Sequence, residues 1–95
     1  MRYTTHMKRW TVVFRALANV NRLKIIEMLS TKKEKMNVGE IAEHLKISFK
    51  ATSNHLAILK NLDVVEPQGV DGHVYYFINR HMPSDFRAIL REVIK

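Results

Sequence analysis

The stretch SFKATSNHLAILKNL, residues 48–62, opens with groups that exchange hydrogen bonds and closes with groups that pack. Asn54 presents a donor and an acceptor side by side, the pattern that pairs bidentately with adenine, whereas Lys50 can reach guanine or a phosphate and Ser53 serves either role. No acid stands among them. On a helix, Lys50, Ser53, Asn54 and Ala57 fall on one stripe, opposite a second stripe of Thr52, Leu56 and Leu59. Such a helix is expected to pack one stripe inward and aim the other at the edges of DNA bases, which an acid at this end would oppose.

Other chemistry is thinly provided for. The chain has no cysteine, which excludes disulfides, thiolate metal sites and cysteine nucleophiles. Its five histidines are His6, His44, His55, His73 and His81. None forms a ligand set at helical spacing with another histidine or acid, so no metal and no cofactor is expected. Convergence of His6 and His81 across a subunit interface is the residual arrangement that spacing leaves open. No Gly-rich phosphate loop, paired carboxylates or Ser-His-Asp arrangement is present, and an enzyme is not expected.

The elements that must position residues 48–62 can be placed by periodicity. A first helix is expected over about residues 5–18, with Met7, Trp10, Phe14 and Leu17 on one face. Asn19 caps a second helix whose apolar stripe is Leu23, Ile25, Ile26 and Leu29, and residues 31–35 read as a solvated loop. Asn37 and Glu40 form a capping box for a short third helix with Ile41, Ala42 and Leu45 facing inward. Ser48 caps the fourth helix. The few residues between the third and fourth helices match a helix-turn-helix.

After Asp63 the period falls to two. VVEPQGV and HVYYFIN read as strands joined by Asp71-Gly72, a dipeptide that tolerates the positive φ of a tight hairpin, and Pro67 marks an edge strand or a bulge. A last helix follows, with Ser84 as its cap and Phe86, Ile89, Leu90, Val93 and Ile94 as its apolar face. The fold class is therefore mainly α with a small β-hairpin, a winged helix-turn-helix in the order ααααββα. In that arrangement the fourth helix, about residues 49–61, enters the major groove and the hairpin, about residues 64–79, flanks it.

Composition agrees. Ninety-five residues, 46% of them hydrophobic, suit a single domain over residues 1–95, and sixteen Lys and Arg against nine Asp and Glu give a net charge of +7 that favours a polyanion. No apolar run is long enough to span a membrane, and MRYTTHMKRW lacks the apolar centre of a secretion signal, so a cytoplasmic protein is expected.

The segments ALANVNRLKIIEML (16–29), VGEIAEHLKIS (38–48), KATSNHLAILKNLDVV (50–65) and GHVYYFIN (72–79) together resemble the small prokaryotic winged-helix regulators of the ArsR/SmtB type. The resemblance covers roughly residues 14–79. It implies a homodimeric transcription regulator, a repressor in the simplest case, whose first and last helices form the dimer interface and whose two recognition helices enter successive major grooves of a near-palindromic operator. Met7, Trp10 and Phe14, with Phe86, Ile89, Leu90 and Val93, are the apolar positions that a second copy would cover. The DNA-contacting positions carried over are Ser48, Phe49, Lys50, Ser53, Asn54 and His55 on the helix, with Gln68 and His73 on the wing.

The chain departs from the family at four places. Where a Cys-x-Cys metal pair begins the third helix in some members, this chain has Met36-Asn37-Val38-Gly39-Glu40; a second pattern, Asp-x-His on the last helix, is replaced by Asp85-Phe86-Arg87. Phe49 occupies a position that is usually polar. An aromatic ring there can press on a thymine methyl or a sugar, or pack on the preceding helix. The wing tip carries Asp71 rather than Arg, which leaves Gln68 and His73 as its contacts. The alternatives to a specific regulator are a sequence-neutral DNA or chromatin binder and a winged-helix module that binds protein.

Overall fold

A computed structural model of the protein describes residues 4–31 and 35–94. Helix α1 spans Thr5–Leu17, with the Thr4 hydroxyl accepting the Met7 N–H at 3.0 Å. Helix α2 spans Val20–Thr31; the Asn19 side chain accepts the Arg22 N–H at 3.1 Å, the cap anticipated for it. Residues 32–34 of the expected loop lie outside the described residues.

Strand β1, Met36–Asn37, was not anticipated, because two residues carry no periodicity. Only its partner reveals it. Asn37 then caps helix α3, Val38–Leu45, and both halves of the capping box with Glu40 are formed, at 2.8 and 3.1 Å. Lys46 takes a left-handed conformation, φ 58°, and its N–H returns to the Ala42 and Glu43 carbonyls. That turn delivers the chain to Ser48, whose hydroxyl caps helix α4, Phe49–Asn61.

Strands β2, Val65–Val70, and β3, His73–Ile78, form the hairpin, in a register running from Val65 opposite Ile78 to Val70 opposite His73. Asp71 and Gly72 both have positive φ, 51° and 80°, which matches the strands' twist in a two-residue turn. Met36 pairs with Tyr76, so the sheet order is β1-β3-β2, and Pro67 sits on an edge strand where a missing N–H is tolerated.

Helix α5 spans Ser84–Val93. Ser84 is not its cap: the helix begins one residue earlier than expected, at Ser84 itself, Pro83 takes the capping position without a side-chain bond, and the Asp85 carboxylate accepts the Phe86 N–H at 2.8 Å. One core gathers Val13, Ala16 and Leu17 from α1, Ile25, Ile26 and Leu29 from α2, Ile41, Leu56 and Leu59 from the helix-turn-helix, and Phe86 and Leu90 from α5. One expectation changes here. Helix α1 turns Val13, Ala16 and Leu17 inward, with Trp10 half-buried against the core and Met7 and Phe14 exposed, but Phe86 and Leu90 serve their own core instead of standing ready for a second copy.

Because Phe86 is fully buried, Phe86→Ala is expected to cost about 3–5 kcal/mol of unfolding free energy in a urea titration. A loss below about 1 kcal/mol would mean that α5 is not seated in this core.

Candidate nucleic-acid interface

Packing sets how α4 is rotated. Thr52, Leu56 and Leu59 are fully buried, as expected, and the Thr52 hydroxyl donates to the Ser48 carbonyl at 2.9 Å, so no polar atom is stranded. The opposite stripe follows from this. Lys50, Asn54 and Ala57 are exposed, and Ser53 is half-buried beside them. Between Phe49 and Asn61 the helix carries no acid, so its N-terminal end combines free side-chain donors with the positive end of the helix dipole.

The remaining expected contacts divide. Ser48 uses its oxygen to accept the Ala51 N–H at 3.0 Å, which leaves its hydroxyl hydrogen to donate. Phe49 is 63% exposed and borders a cleft with Val38, His73, Val74 and Tyr76, so the start of α4, the start of α3 and the wing tip meet there. The Phe49 ring thus borders Val38 and Gly39 of the preceding helix while keeping most of its surface exposed. Gln68 is not brought to this cleft: it borders a separate hollow with Glu66, Phe77, Asn79 and Arg80.

His55 lies on the flank of α4 beside the outer stripe, half-buried, with its Nδ1 3.1 Å from Arg22 Nη1. Burial, and then the Arg22 charge, hold the imidazole below its ordinary pKa. Arg22 escaped notice in the sequence although a signal was present: a cation in a helix's first turn opposes the dipole and calls for a partner elsewhere. Lys35 was also missed; its ammonium stands 4.8 Å from the centre of the Tyr75 ring on the wing.

A second surface lies on the terminal helices. Arg9 on α1 donates to Asp85 on α5 through two bonds, at 2.7 and 3.2 Å, and ties the helices together. Met7 and Phe14 on α1 are 45% and 55% exposed, Trp10 stacks on Phe14 at 5.5 Å, and Val93 on α5 is 51% exposed. Ile89 and Ile94 are half-buried. His6 accepts a hydrogen bond from the Trp10 indole at 3.1 Å, which gives it a partner on its own helix. Among the described residues, no group of three or more His, Cys, Asp or Glu is placed to hold a metal, and no helix is long and apolar enough to cross a membrane.

A helix-turn-helix made by α3 and α4, with a three-stranded wing beside it, defines a winged helix-turn-helix DNA-binding protein. A family model described as bacterial regulatory protein, arsR family, matches residues 19–66, from the cap of α2 into β2. The transcriptional repressor SdpR of Bacillus subtilis (strain 168) is 37% identical over 73 residues, 77% of this chain and 79% of that protein. HlyU from Vibrio cholerae superposes with a TM-score of 0.75 at 26% identity, covering 96% of this chain and 94% of that one. A homodimeric winged helix-turn-helix DNA-binding domain from Mycobacterium bovis, a possible ArsR-family transcriptional regulator, does so with a TM-score of 0.73 at 26% identity, covering 92% and 76%. The chain belongs to the arsR family of bacterial regulatory proteins, and is a winged-helix transcriptional regulator.

The Arg9–Asp85 bridge has a pH signature. The hydrogen bond from Arg9 holds the Asp85 carboxyl below its ordinary value of 3.8, against an opposing effect of burial. A depressed carboxyl pKa contributes stability that is complete above that ordinary value and is lost as pH falls through the lowered one. The stability difference between wild type and Asp85→Asn, read from urea unfolding, should therefore shrink as the pH drops below 3.8. A difference that stays constant would show that the bridge is not formed in solution.

Proposed function

We propose that residues 1–95 form a single winged domain that acts as a homodimeric, sequence-specific transcriptional repressor in the cytoplasm. Helix α4 enters the major groove and the wing flanks it. The observation that carries this reading is the acid-free outer stripe Lys50, Ser53, Asn54 and Ala57, standing opposite a fully buried stripe on the same helix. Asn54 reads adenine, Lys50 guanine or a phosphate, and Ser53 either. Phe49 adds an apolar contact to a thymine methyl or a sugar, and Ser48 a donor to phosphate. His73, at the wing tip beside the Phe49 cleft, is better placed than Gln68 for a backbone contact.

Dimerisation draws on the exposed Met7 and Phe14 of α1 with the half-buried Trp10 between them, together with the half-buried Ile89 and exposed Val93 of α5. A stacked aromatic pair and aliphatic side chains at this level of exposure are the kind of surface a second copy covers. The homodimeric domain from Mycobacterium bovis and the repressor SdpR support assembly and repression by likeness. A two-fold dimer presents two copies of α4 to an inverted repeat with half-sites about one helical turn, roughly 34–36 Å, apart.

Selection of bound duplexes from a random library at near-physiological salt tests this directly. Enrichment of an inverted repeat is expected. Binding without enrichment, with a steep salt dependence, would indicate a sequence-neutral binder instead. On the selected site, Ser53→Ala and Asn54→Ala should each cost about 1–3 kcal/mol and relax the preferred base at one position per half-site. Unchanged affinity would remove these residues from the interface.

A further inference from the structure

Arg22 stands in the first turn of α2, and its side chain turns back across the junction between α1 and α2. Its Nε donates to the Ala16 carbonyl and its Nη2 to the Arg15 carbonyl at 3.1 Å, both in the last turns of α1, while Nη1 meets His55 Nδ1 on α4 at 3.1 Å. A guanidinium has donors only, so Nδ1 must accept, and the imidazole is neutral with its proton on Nε2. A single planar group thereby joins three helices.

We propose that Arg22 and His55 are positioning residues for DNA reading: the guanidinium fork sets the seat of α4 against α1 and α2. The proposal rests on the reading of α4 as the DNA-recognition helix. The buried contacts of Leu56 and Leu59 hold α4 to the core but are not directional, whereas a rigid fork with three acceptors fixes both distance and rotation. Arg22 also ends on α1, the helix whose exposed aromatic face a second copy would cover. The separation of two recognition helices in a dimer therefore passes through this contact.

Protonation of His55 replaces the acceptor with a donor and sets one cation against another. On α2 the facing charge is Arg22; on α1, Arg15 lines the same flank, beside Ile58 and Asn61 of α4. Burial and the Arg22 charge both favour the neutral ring, so the contact persists until the pH falls below the ordinary histidine range.

The test uses the full chain, the selected duplex and four variants. His55→Asn keeps an acceptor oxygen near the place of Nδ1 but cannot titrate; His55→Leu removes the acceptor; Arg22→Gln removes the fork; the fourth combines Arg22→Gln with His55→Leu. At a pH of about 8, His55→Leu and Arg22→Gln should each bind about tenfold more weakly than wild type, and the combined variant no more weakly than either, because both act through one contact. His55→Asn should recover most of the affinity that His55→Leu loses. On acidification to about pH 5.5, wild type should lose affinity relative to His55→Asn, a comparison in which the other histidines cancel. Wild-type affinity in His55→Leu, or losses that multiply in the combined variant, would overturn the positioning role alone. If Arg22→Gln does not fold, the His55→Leu and His55→Asn pair still decides. Absence of preferential binding by the wild type would overturn the DNA-recognition reading itself.

Discussion

The structure depends on how α4 is rotated about its own axis, and a single buried stripe decides it. Thr52, Leu56 and Leu59 have no solvent exposure, and each buried leucine side chain contributes about 1.5–3 kcal/mol relative to exposure. A rotation that lifted them out would also strip Thr52 of its bond to Ser48. Ser48 acts twice, its hydroxyl capping the helix and its carbonyl receiving Thr52. With the inner stripe held, Lys50, Asn54 and Ala57 have nowhere to face but solvent, and a DNA-binding protein needs that face kept constant.

The wing is coupled to the same helix through very few residues. Asn37 is at once the partner of Tyr75 in the sheet and the cap of α3, so the strand register determines where α3 begins. Helix α3 is only eight residues long, and Lys46, in a left-handed conformation that costs roughly 1–2 kcal/mol for a side chain other than glycine, turns the chain into α4. Short, capped connections of this kind leave little slack between the hairpin and α4. They explain how Phe49 and His73, twenty-four positions apart, come to border one cleft.

The terminal helices show how a small regulator divides its apolar surface. Helix α1 carries two adjacent apolar faces: Val13, Ala16 and Leu17 close the core with Trp10 half-buried against it, while Met7 and Phe14 remain outside. Helix α5 spends Phe86 and Leu90 inward and keeps Val93 outward. Arg9 and Asp85 tie the two helices together. A domain of this size has too little interior for all of these apolar side chains.

Much of the fold was legible in the sequence because its signals are local. Helical and strand periods, the Asn37–Glu40 capping box, the Ser48 cap and the Asp71-Gly72 turn each act within a few residues, and each was found in place. The inner stripe of α4 was legible for the same reason, as was membership of the arsR family from motifs in order. Strand β1 was hidden because two residues are defined only by a partner forty positions away. Which of two apolar faces on α1 turns inward, the burial of Phe86, and the sideways placement of His55 against Arg22 depend on the packing of distant helices. The sequence by itself determined the helices, the hairpin and the acid-free run of hydrogen-bonding residues that opens α4; only the tertiary structure decided which side chains face outward together, since orientation is set by contacts between segments that no local pattern connects.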